Sequence, residues 1–458
     1  MEKTITLSDD HKKAEDNTTK LKGAIKGMAK CGGTLTIKSS QEGASIPLNG
    51  RININDLESS LTIKADQPLE LYFDCADGAY LPVFFTSSLS REVKLTFQNL
   101  ELNGKNRVGT LLQLICTSST TITAPSVHIN NCTFKEALQL KEPIPQQKKT
   151  HPARGILAIG PFKAVKLTDT CIENISVDKK CKTKGSNATG VLFQERKKRL
   201  PGQITFKGCR VSHISNPARN LDADGIKINS PNFPENASSL LVEHCQFENN
   251  HVRSIKSQIR DNTIQNCKFK RVGIKVVGLN PPPSFTEIDL QRGSGIISKN
   301  TFIASDSDFR ALIIANMDNT VEQFEFIVQD NTFQLKNINP TKRWKVWPIR
   351  IDMRDQGGNP PFWVKKAKIV ENQMVSEQSS VPSNWFLASI KYNNTVPLDK
   401  QLPSCFLNNT LVNNSLAYID NYGSEIWMVQ INSYPAGSKI EVKNPEVIRV
   451  VNTHHEEC

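Results

Sequence analysis

Three Ile-Lys dipeptides are the residues best placed to do chemistry, namely Ile226-Lys227, Ile255-Lys256 and Ile274-Lys275. Side chains alternate between the two faces of a strand, so an inward isoleucine places the next lysine on the outer face. Stacked strands lie about 4.8 Å apart, which predicts a row of cations. The row is extended by Ile349-Arg350 and Ile390-Lys391. Like charges at that spacing repel, and an anionic ligand would offset the repulsion; the alternative is that these side chains are solvated and splay apart.

Carboxylates near this row form a second group of candidates. The carboxylates are Asp222, Asp224 and Asp352. Asp222 and Asp224 precede Lys227, and Asp352 lies between Arg350 and Arg354. Paired carboxylates can divide the roles of acid and base when their surroundings separate their pKa values. The first pair can equally shape a turn before Gly225, or pair with neighbouring cations.

A third cluster combines His251, Arg253 and Lys256 within one short segment. Crowding by like charges lowers the pKa of a lysine, which makes a lysine in such a row a candidate base. The alternation of faces places Arg253 at the edge of its strand. A lone histidine is more often structural than catalytic, but the nearness of His251 to Lys256 makes it a candidate.

Two short strand motifs alternate through residues 204–276 with no helix between them, which is typical of a solenoid of strands. One is the Ile-Lys strand, and the other has a Cys or Asn turn residue followed by an inward apolar residue. The turn residue recurs roughly every 20–40 residues, at Cys132, Cys171, Cys209, Cys245, Cys267, Asn300, Asn331, Asn372 and Asn409. Asparagines can hydrogen-bond along such a stack, and cysteine fits the same small slot. The pattern predicts a ladder of turns with buried thiols.

The ends of the chain depart from this repeat. Residues 17–37 combine an apolar helical face with a Cys-Gly-Gly stop and a strand, which predicts a capping helix. The predicted organisation is a loose tail and capping helix over 1–33, coils over 34–430, and a strand cap with a tail over 431–458. The Pro-rich segment 279–294 is expected to be a loop between coils, of the kind that shapes a binding groove.

Composition restricts the partners. The net charge of +12 favours an acidic polysaccharide, nucleic acid or an anionic surface. Aromatic residues are not interleaved with the basic row, which argues against nucleic acid. The scattered Cys and His residues lack metal-site spacing, and no apolar run is long enough to span a membrane. The first residues lack a secretory apolar region, so we expect a cytoplasmic, virion-associated or non-classically exported protein.

These features resemble a right-handed parallel β-helix of the pectate-lyase-like superfamily over roughly residues 15–430. The N-terminal helix is similar to the one that closes the first coil of phage tailspikes and many polysaccharide-degrading β-helices. The resemblance implies an all-β solenoid with one strand from each coil in each sheet, an N-terminal capping helix, and association as a homotrimer.

Two families of this superfamily share short motifs with the chain. Residues 220–226 resemble the Asn-Thr-Asp-Gly-Ile strand of polygalacturonase-type hydrolases, which implies Asp224 as an acid, but the family's Gly-His-Gly and Arg-Ile-Lys motifs do not follow. Residues 254–269 resemble the Lys-Ser…Asn-Thr segment of the alginate lyase and chondroitinase B family, which implies Lys256 as the base. Asn249 and His251 stand at that family's calcium-ligand positions, so we expect no cofactor; Ca²⁺ stays an alternative that this ligand pattern does not support.

The leading hypothesis is an enzyme that cleaves an acidic, uronate-containing polysaccharide by β-elimination. That reaction needs a neutralised carboxylate, a base and an acid. Lys256 is the expected base, and His251 or Asp224 would assist protonation. The expected substrate contacts are Lys227, Arg253, Lys275, Arg350, Asp352 and Arg354. Two alternatives stay open, which are a glycoside hydrolase using Asp224 and Asp352, and a non-catalytic glycan-binding or phage-type receptor-binding β-helix.

Overall fold

The computed structural model describes the following residues: 1–55, 57–75, 79–118, 123–140, 151–181, 187–217, 223–230, 238–275, 285–291, 293–309, 311–318, 324–338, 347–354, 364–376, 388–391, 404–407, 410–412, 417–419, 427–429, 440–442 and 448–450. The chain divides into two compact units, Met1–Ser239 (unit 1) and Leu240–Cys458 (unit 2). Every ladder pairing between strands in this part of the chain is parallel, apart from one isolated antiparallel bridge, Arg196 to Arg199. Nor does any helix there have the length and apolar character of a membrane span.

Unit 1 contains three ladders of parallel strands. The first ladder is Glu2–Leu7, Gly33–Ser39, Leu61–Phe73, Lys94–Asn103, Ser126–Asn130, Ala164–Thr168 and Gln203–Lys207. The second ladder adds Ile46–Leu48, Thr133–Lys135, Cys171–Glu173 and Arg210–Ser212 to the ends of the two long strands. The third ladder is Ile52–Asn55, Leu81–Leu89, Val108–Cys116, Ala153–Ile159, Ala188–Gln194 and Ala223–Asn229. A short pair joins Leu138–Gln139 to Ser176–Val177.

Unit 2 repeats the same three ladders. Its first ladder is Ser239–Glu243, Asp261–Gln265, Ser294–Ser298, Phe324–Gln329, Val364–Val370, Ser404–Leu407, Trp427–Val429 and Ile448–Val450. Its second is Gln246–Glu248, Lys268–Val272, Thr301–Ser305, Thr332–Lys336, Gln373–Ser376 and Thr410–Val412. Its third is Arg253–Ser257, Thr286–Leu290, Ala311–Asp318, Trp347–Arg354 and Ala388–Lys391. Ala417–Ile419 pairs with Ile440–Val442. Each unit is therefore a parallel β-helix, which confirms the predicted fold.

The capping helix is present, and it is longer than predicted. A 3-10 turn, His11–Lys13, leads into the helix Ala14–Met28, whose buried face includes Leu21 and Ile25. The helix packs against the first strands of all three ladders. Residues 1–16 were expected to be a loose tail, and that expectation is wrong because Glu2–Leu7 pairs along its whole length with Gly33–Ser39.

The turn ladder is confirmed, with one error of position. Cys132, Cys209, Cys245 and Cys267 are buried and form no disulfide, but Cys171 is only partly buried. Thr133 pairs with Cys171, so the residue in register with Cys132 is Thr170. In each of these coils the residue before the slot has a positive φ, 49° at Asn131 and 47° at Asp169. The backbone turn, rather than the cysteine, defines the position. Asn409 lies outside the described residues.

An asparagine ladder and an aromatic stack hold the coils of unit 2 in register. The Asn300 amide donates to Asn331 Oδ1 at 3.0 Å, and the Asn331 amide donates to Asn372 Oδ1 at 2.9 Å. Asn331 also donates to the carbonyl of Ile297. One strand further on, the rings of Phe247, Phe269, Phe302 and Phe333 stack with centroids 4.8, 4.7 and 5.0 Å apart.

The Asn331→Ala variant is expected to lower the unfolding free energy of unit 2 by about 2–3 kcal/mol, because it leaves buried partners without hydrogen bonds. Asn331 is fully buried. The control is Gln334→Ala, which removes an exposed amide from the strand that follows and should change stability by less than about 0.5 kcal/mol. Urea unfolding followed by circular dichroism measures both, and equal midpoints for the two variants would contradict a stabilising role for the ladder.

Glu70 is the centre of an ionic cluster in unit 1. Its carboxylate accepts hydrogen bonds from Ser45 and from the Asn103 amide, the latter at 2.7 Å, and lies 3.7 and 3.5 Å from the ammonium groups of Lys105 and Lys135. Burial alone would raise the pKa of Glu70, but the two hydrogen bonds and the two cations outweigh it and lower the pKa to about 2. The cluster therefore stabilises the ionised carboxylate.

This depressed pKa predicts an acid-dependent loss of stability. A carboxylate with a lower pKa in the folded than in the unfolded chain contributes its full stability above the unfolded value and loses it as the pH falls toward the folded value. Glu70→Gln should cost about 1–2 kcal/mol at neutral pH, after allowance for solvent screening, and progressively less between pH 4.5 and 2. Chemical denaturation across that range measures it. Glu92→Gln, on the surface, is the control and should show no such trend.

Candidate functional site

The outer face of the third ladder carries the charged groups. Ile226 in unit 1, and Ile255, Ile288 and Ile349 in unit 2, are fully buried, so the residue after each isoleucine lies on the opposite face. In unit 2 the register places Lys256 beside Asp289, Asp289 beside Ile314, Ile314 beside Arg350, and Arg350 beside Ser389. Asp289 therefore stands beside Lys256 where Lys275 was expected, so the predicted run of lysines is wrong at that position, and the apolar Ile314 separates Asp289 from Arg350.

Lys275 is not part of this row. It follows the second-ladder strand Lys268–Val272, and its side chain is exposed. Ile274, expected to point inward, is only partly buried. The strand beside Arg253–Ser257 is Thr286–Leu290, which comes from the segment predicted to be a loop. The alternation Thr-Glu-Ile-Asp-Leu supplies the inward isoleucine and an outward Asp289 in place of the lysine.

The register of the last strands also differs from the prediction. Lys391 pairs with Asp352, and Arg350 pairs with Ser389, so Arg350 and Lys391 are not in one row. For Asp352, Arg354 and Lys391 the structure describes strand position and not side chains. Asp222 lies outside the described residues.

A buried ion pair lies next to Lys256. The Arg253 guanidinium donates from Nη1 to Asp289 Oδ2 at 3.2 Å, with the Arg253 side chain 6% exposed and that of Asp289 0% exposed. Arg253 therefore lies within the outer face rather than at the strand's edge. Lys256 is partly exposed directly beside Asp289. Three ionisable groups from two adjacent strands thus share one surface, and only the lysine reaches solvent to an appreciable extent.

Neutral amides continue this surface beyond the charged groups. The Gln258 amide donates to Gln291 Oε1 at 2.7 Å, and the Gln291 amide donates to Asp289 Oδ2 at 3.1 Å. Both glutamines are partly exposed. Amide and carboxylate groups arranged in this way can bind sugar hydroxyls through hydrogen bonds in both directions.

His251 precedes the same strand and is 9% exposed. Its ring meets the Phe285 ring edge-on, with centroids 5.7 Å apart and an interplanar angle of 81°. Phe285 immediately precedes the strand of Asp289. His251 is therefore packed at the end of the two strands that carry Arg253, Lys256 and Asp289.

Beneath this surface, the interior of unit 2 contains a second ion pair. Arg271 is fully buried and donates from Nε to Glu287 Oε1 at 2.7 Å. Its Nη1 donates to the His251 carbonyl at 3.0 Å, and its Nη2 donates to the Asn250 carbonyl at 3.1 Å. Glu287 also accepts a hydrogen bond from the Ser254 hydroxyl. Arg271 and Glu287 thereby join the two strands whose outer residues are Arg253 and Asp289.

In unit 1, Asp224 and Lys227 form a pair on one strand. Asp224 Oδ2 is 3.6 Å from Lys227 Nζ, with the aspartate fully buried and the lysine side chain 15% exposed. On the neighbouring strand, Thr189 lies beside Asp224 and Leu192 beside Lys227. Asp224 and Lys227 thus meet in unit 1, and His251, Arg253 and Lys256 lie in unit 2. The convergence of Asp224, His251 and Lys256 on one point stays a prediction.

Sequence reasoning missed Glu287, Asp289 and Arg271. The signal for Asp289 was present, since it follows an isoleucine as the lysines of the Ile-Lys strands do, but the preceding prolines made the segment look like a loop. No sequence signal marks Arg271 as an interior residue, because arginine is almost never fully buried unless it is paired.

No protein-family model and no curated protein sequence matches this chain. Solved structures with a similar backbone include a tailspike protein of E. coli bacteriophage HK620 in complex with a pentasaccharide, at 12% identity and a TM-score of 0.42 over 95% of this chain and 66% of the tailspike. A PL6 alginate lyase in complex with a trisaccharide matches at 12% identity and a TM-score of 0.43, over 98% of this chain and 88% of the lyase. The chain thus spans slightly less than two thirds of the tailspike's length. The fold assignment depends on the strand pairings described above.

Proposed function

We propose that the outer face of the third ladder in unit 2 binds an acidic polysaccharide and cleaves it by β-elimination, with Lys256 as the base. The observation that carries the proposal is the position of Lys256, a partly exposed amine beside a buried Arg253–Asp289 ion pair. A buried ion pair is costly unless it is fully satisfied, and it is often retained for a role other than stability. The resemblance of the sequence to polysaccharide-degrading β-helices supplies the polymer class.

In this reaction the neutral Lys256 amine removes the proton from C5 of a uronate. The C5–H electron pair forms the C4–C5 double bond, the C4–O bond breaks, and the glycosidic oxygen takes up a proton. Arg253, oriented by Asp289, is the proposed partner of the uronate carboxylate, whose neutralisation makes the C5 proton acidic. His251 is the proposed assistant in protonating the leaving oxygen.

Further along the same face, Arg350 is 8% exposed and lies two strands beyond Asp289. At the spacing of parallel strands this is about 10 Å, and in this proposal Arg350 would bind the carboxylate of another sugar in the same polymer. Gln258 and Gln291 would bind hydroxyl groups. The polymer would then run across the strands, parallel to the stacking direction of unit 2.

A second candidate function is glycan binding without cleavage. The Arg253–Asp289 pair favours it, because this arginine already has an internal carboxylate partner. Buried arginine held by an acid, with amides beside it, is suited to recognition as well as to catalysis. In this reading Lys256 contributes charge and no proton transfer.

The test is incubation of the protein with pectate, alginate, chondroitin and hyaluronan. Ultraviolet absorbance detects unsaturated uronates, and reducing ends are measured in parallel. Rising absorbance is the result expected. Reducing ends without absorbance would indicate a hydrolase, the alternative proposed for Asp224 and Asp352. No product in either assay, combined with retained glycan binding, would favour the non-catalytic function and overturn the lyase.

A further inference from the structure

The strongest unassigned feature is Arg154 on the third ladder of unit 1. In the strand Ala153–Ile159 it lies between Thr110 on one side and Thr189 on the other. The next residue, Gly155, faces inward, because a Cβ there would lie 2.8 Å from the side chain of the core residue Ile172. Arg154 therefore faces outward, flanked by two threonines that are almost completely buried.

Arg154 has one buried donor without an acceptor. Within the described residues no acceptor reaches its buried Nε, and the residue as a whole is partly exposed. Burial lowers the pKa of the guanidinium to about 10. A buried N–H without an acceptor is costly, and an anionic ligand would supply the acceptor.

Neighbouring side chains add positive charge around Arg154 and form the surface beside it. Burial, and after it the charges of Arg154 and Arg51, lower the pKa of the His151 imidazole. His151 and the Tyr80 hydroxyl pack over Gly109, where a Cβ would lie 2.6 Å from Tyr80 Oη and 3.2 Å from His151 Cβ. Tyr80 is fixed by a 2.8 Å hydrogen bond from its hydroxyl to the Leu138 carbonyl. Any larger residue at Gly109 would disrupt the packing of His151 and Tyr80.

We infer that Arg154, with Arg51, His151 and the hydroxyls of Thr110 and Thr189, forms a binding site for an oxyanion group. The planar guanidinium pairs with two oxygens of one carboxylate, sulfate or phosphate. Threonine hydroxyls on both sides can donate to the remaining oxygens. The site lies wholly within unit 1 and uses none of the residues proposed for cleavage, so it does not depend on the lyase.

The oxyanion can be free or part of a glycan, and calorimetric titration at low salt separates the two. The probes are sodium sulfate, an oligogalacturonate and a neutral malto-oligosaccharide. Arg154→Gln should weaken sulfate binding at least tenfold and remove one oligogalacturonate binding step, and Arg91→Gln, an exposed arginine of the same unit, should do neither. Loss of both signals in Arg154→Gln indicates a general oxyanion site, and loss of the oligogalacturonate step alone indicates a site for a glycan carboxylate. Equal affinity in Arg154→Gln and the parent protein, or no anion binding at all, would overturn the site.

Thermal unfolding gives an independent check. Without ligand, Arg154→Gln should melt at or above the temperature of the parent protein, because it removes a charged group with a buried, unsatisfied N–H. Sulfate should raise the melting temperature of the parent protein and of Lys256→Met, but not that of Arg154→Gln. A variant that unfolds without any ligand would show that Arg154 has a structural partner and would reject the inference. Lys256→Met separates this result from failure of the proposed cleavage.

Discussion

Lys256→Met is expected to lower the rate of unsaturated-uronate formation by about 10²–10⁴-fold, because a positioned general base typically contributes that much. Methionine keeps most of the side-chain volume and removes the amine. The face around it should persist, since the Arg253–Asp289 pair does not require the lysine. The measurement is initial rate by ultraviolet absorbance on the polysaccharide that gives the strongest signal.

Two further variants make the Lys256 prediction specific. Lys256→Arg keeps the positive charge but cannot act as a base, because a guanidinium does not lose its proton in proteins; it should retain binding and lose turnover. Lys268→Met removes an exposed lysine of the second ladder in the same unit and should leave the rate unchanged. Full activity in Lys256→Arg would show that the residue binds substrate and that the base lies elsewhere.

The largest effect on stability is expected from the interior pair of Arg271 and Glu287. Arg271→Met leaves the Glu287 carboxylate buried without its partner, and breaking a buried ion pair in this way costs about 3–5 kcal/mol. Replacing both residues, in Arg271→Met with Glu287→Leu, should recover much of that loss, because no charge is left uncompensated. Urea unfolding of the parent protein, Arg271→Met, Glu287→Leu and the double variant forms a double-mutant cycle.

The neighbouring pair of Lys270 and Glu248 is the matched control. Its atoms are 2.8 Å apart, a distance close to that of the interior pair, but the Lys270 side chain is 44% exposed and that of Glu248 27% exposed. Lys270→Met should therefore cost less than about 1 kcal/mol. Comparable losses in Lys270→Met and Arg271→Met would mean that burial does not determine the contribution of Arg271.

The interior pair also tests how the candidate site is positioned. Arg271 and Glu287 connect the backbone before Arg253 to the strand that carries Asp289. A doubly substituted protein that folds but has lost the geometry of this connection should show a lower turnover number with little change in the Michaelis constant. Such a split would assign Arg271 a positioning role, which stability alone does not reveal.

Some parts of the candidate site were accessible from the sequence. The inward isoleucines identified the outer face, and with it Lys227, Lys256 and Arg350. The residue beside Lys256, which is Asp289, could not be predicted in the same way. Ile274 follows Phe269 more closely than Ile255 follows Phe247, so it comes too early in its coil to enter the third ladder. The strand that pairs with Arg253–Ser257 begins only at Thr286, and Asp289 takes the position expected for Lys275.

Local signals in the sequence were enough to predict parallel coils with a capping helix, because alternating apolar residues and small turn residues recur in every coil. Which strands lie side by side became clear only from the fold, since loop length and the stacking of rings and amides set the register. The fold also decided which charges are buried. Arg271 and Asp289 look like ordinary surface residues in the sequence, and only the packing of neighbouring coils removes them from water. Once buried, each charge depends on its ionic partner for its stability.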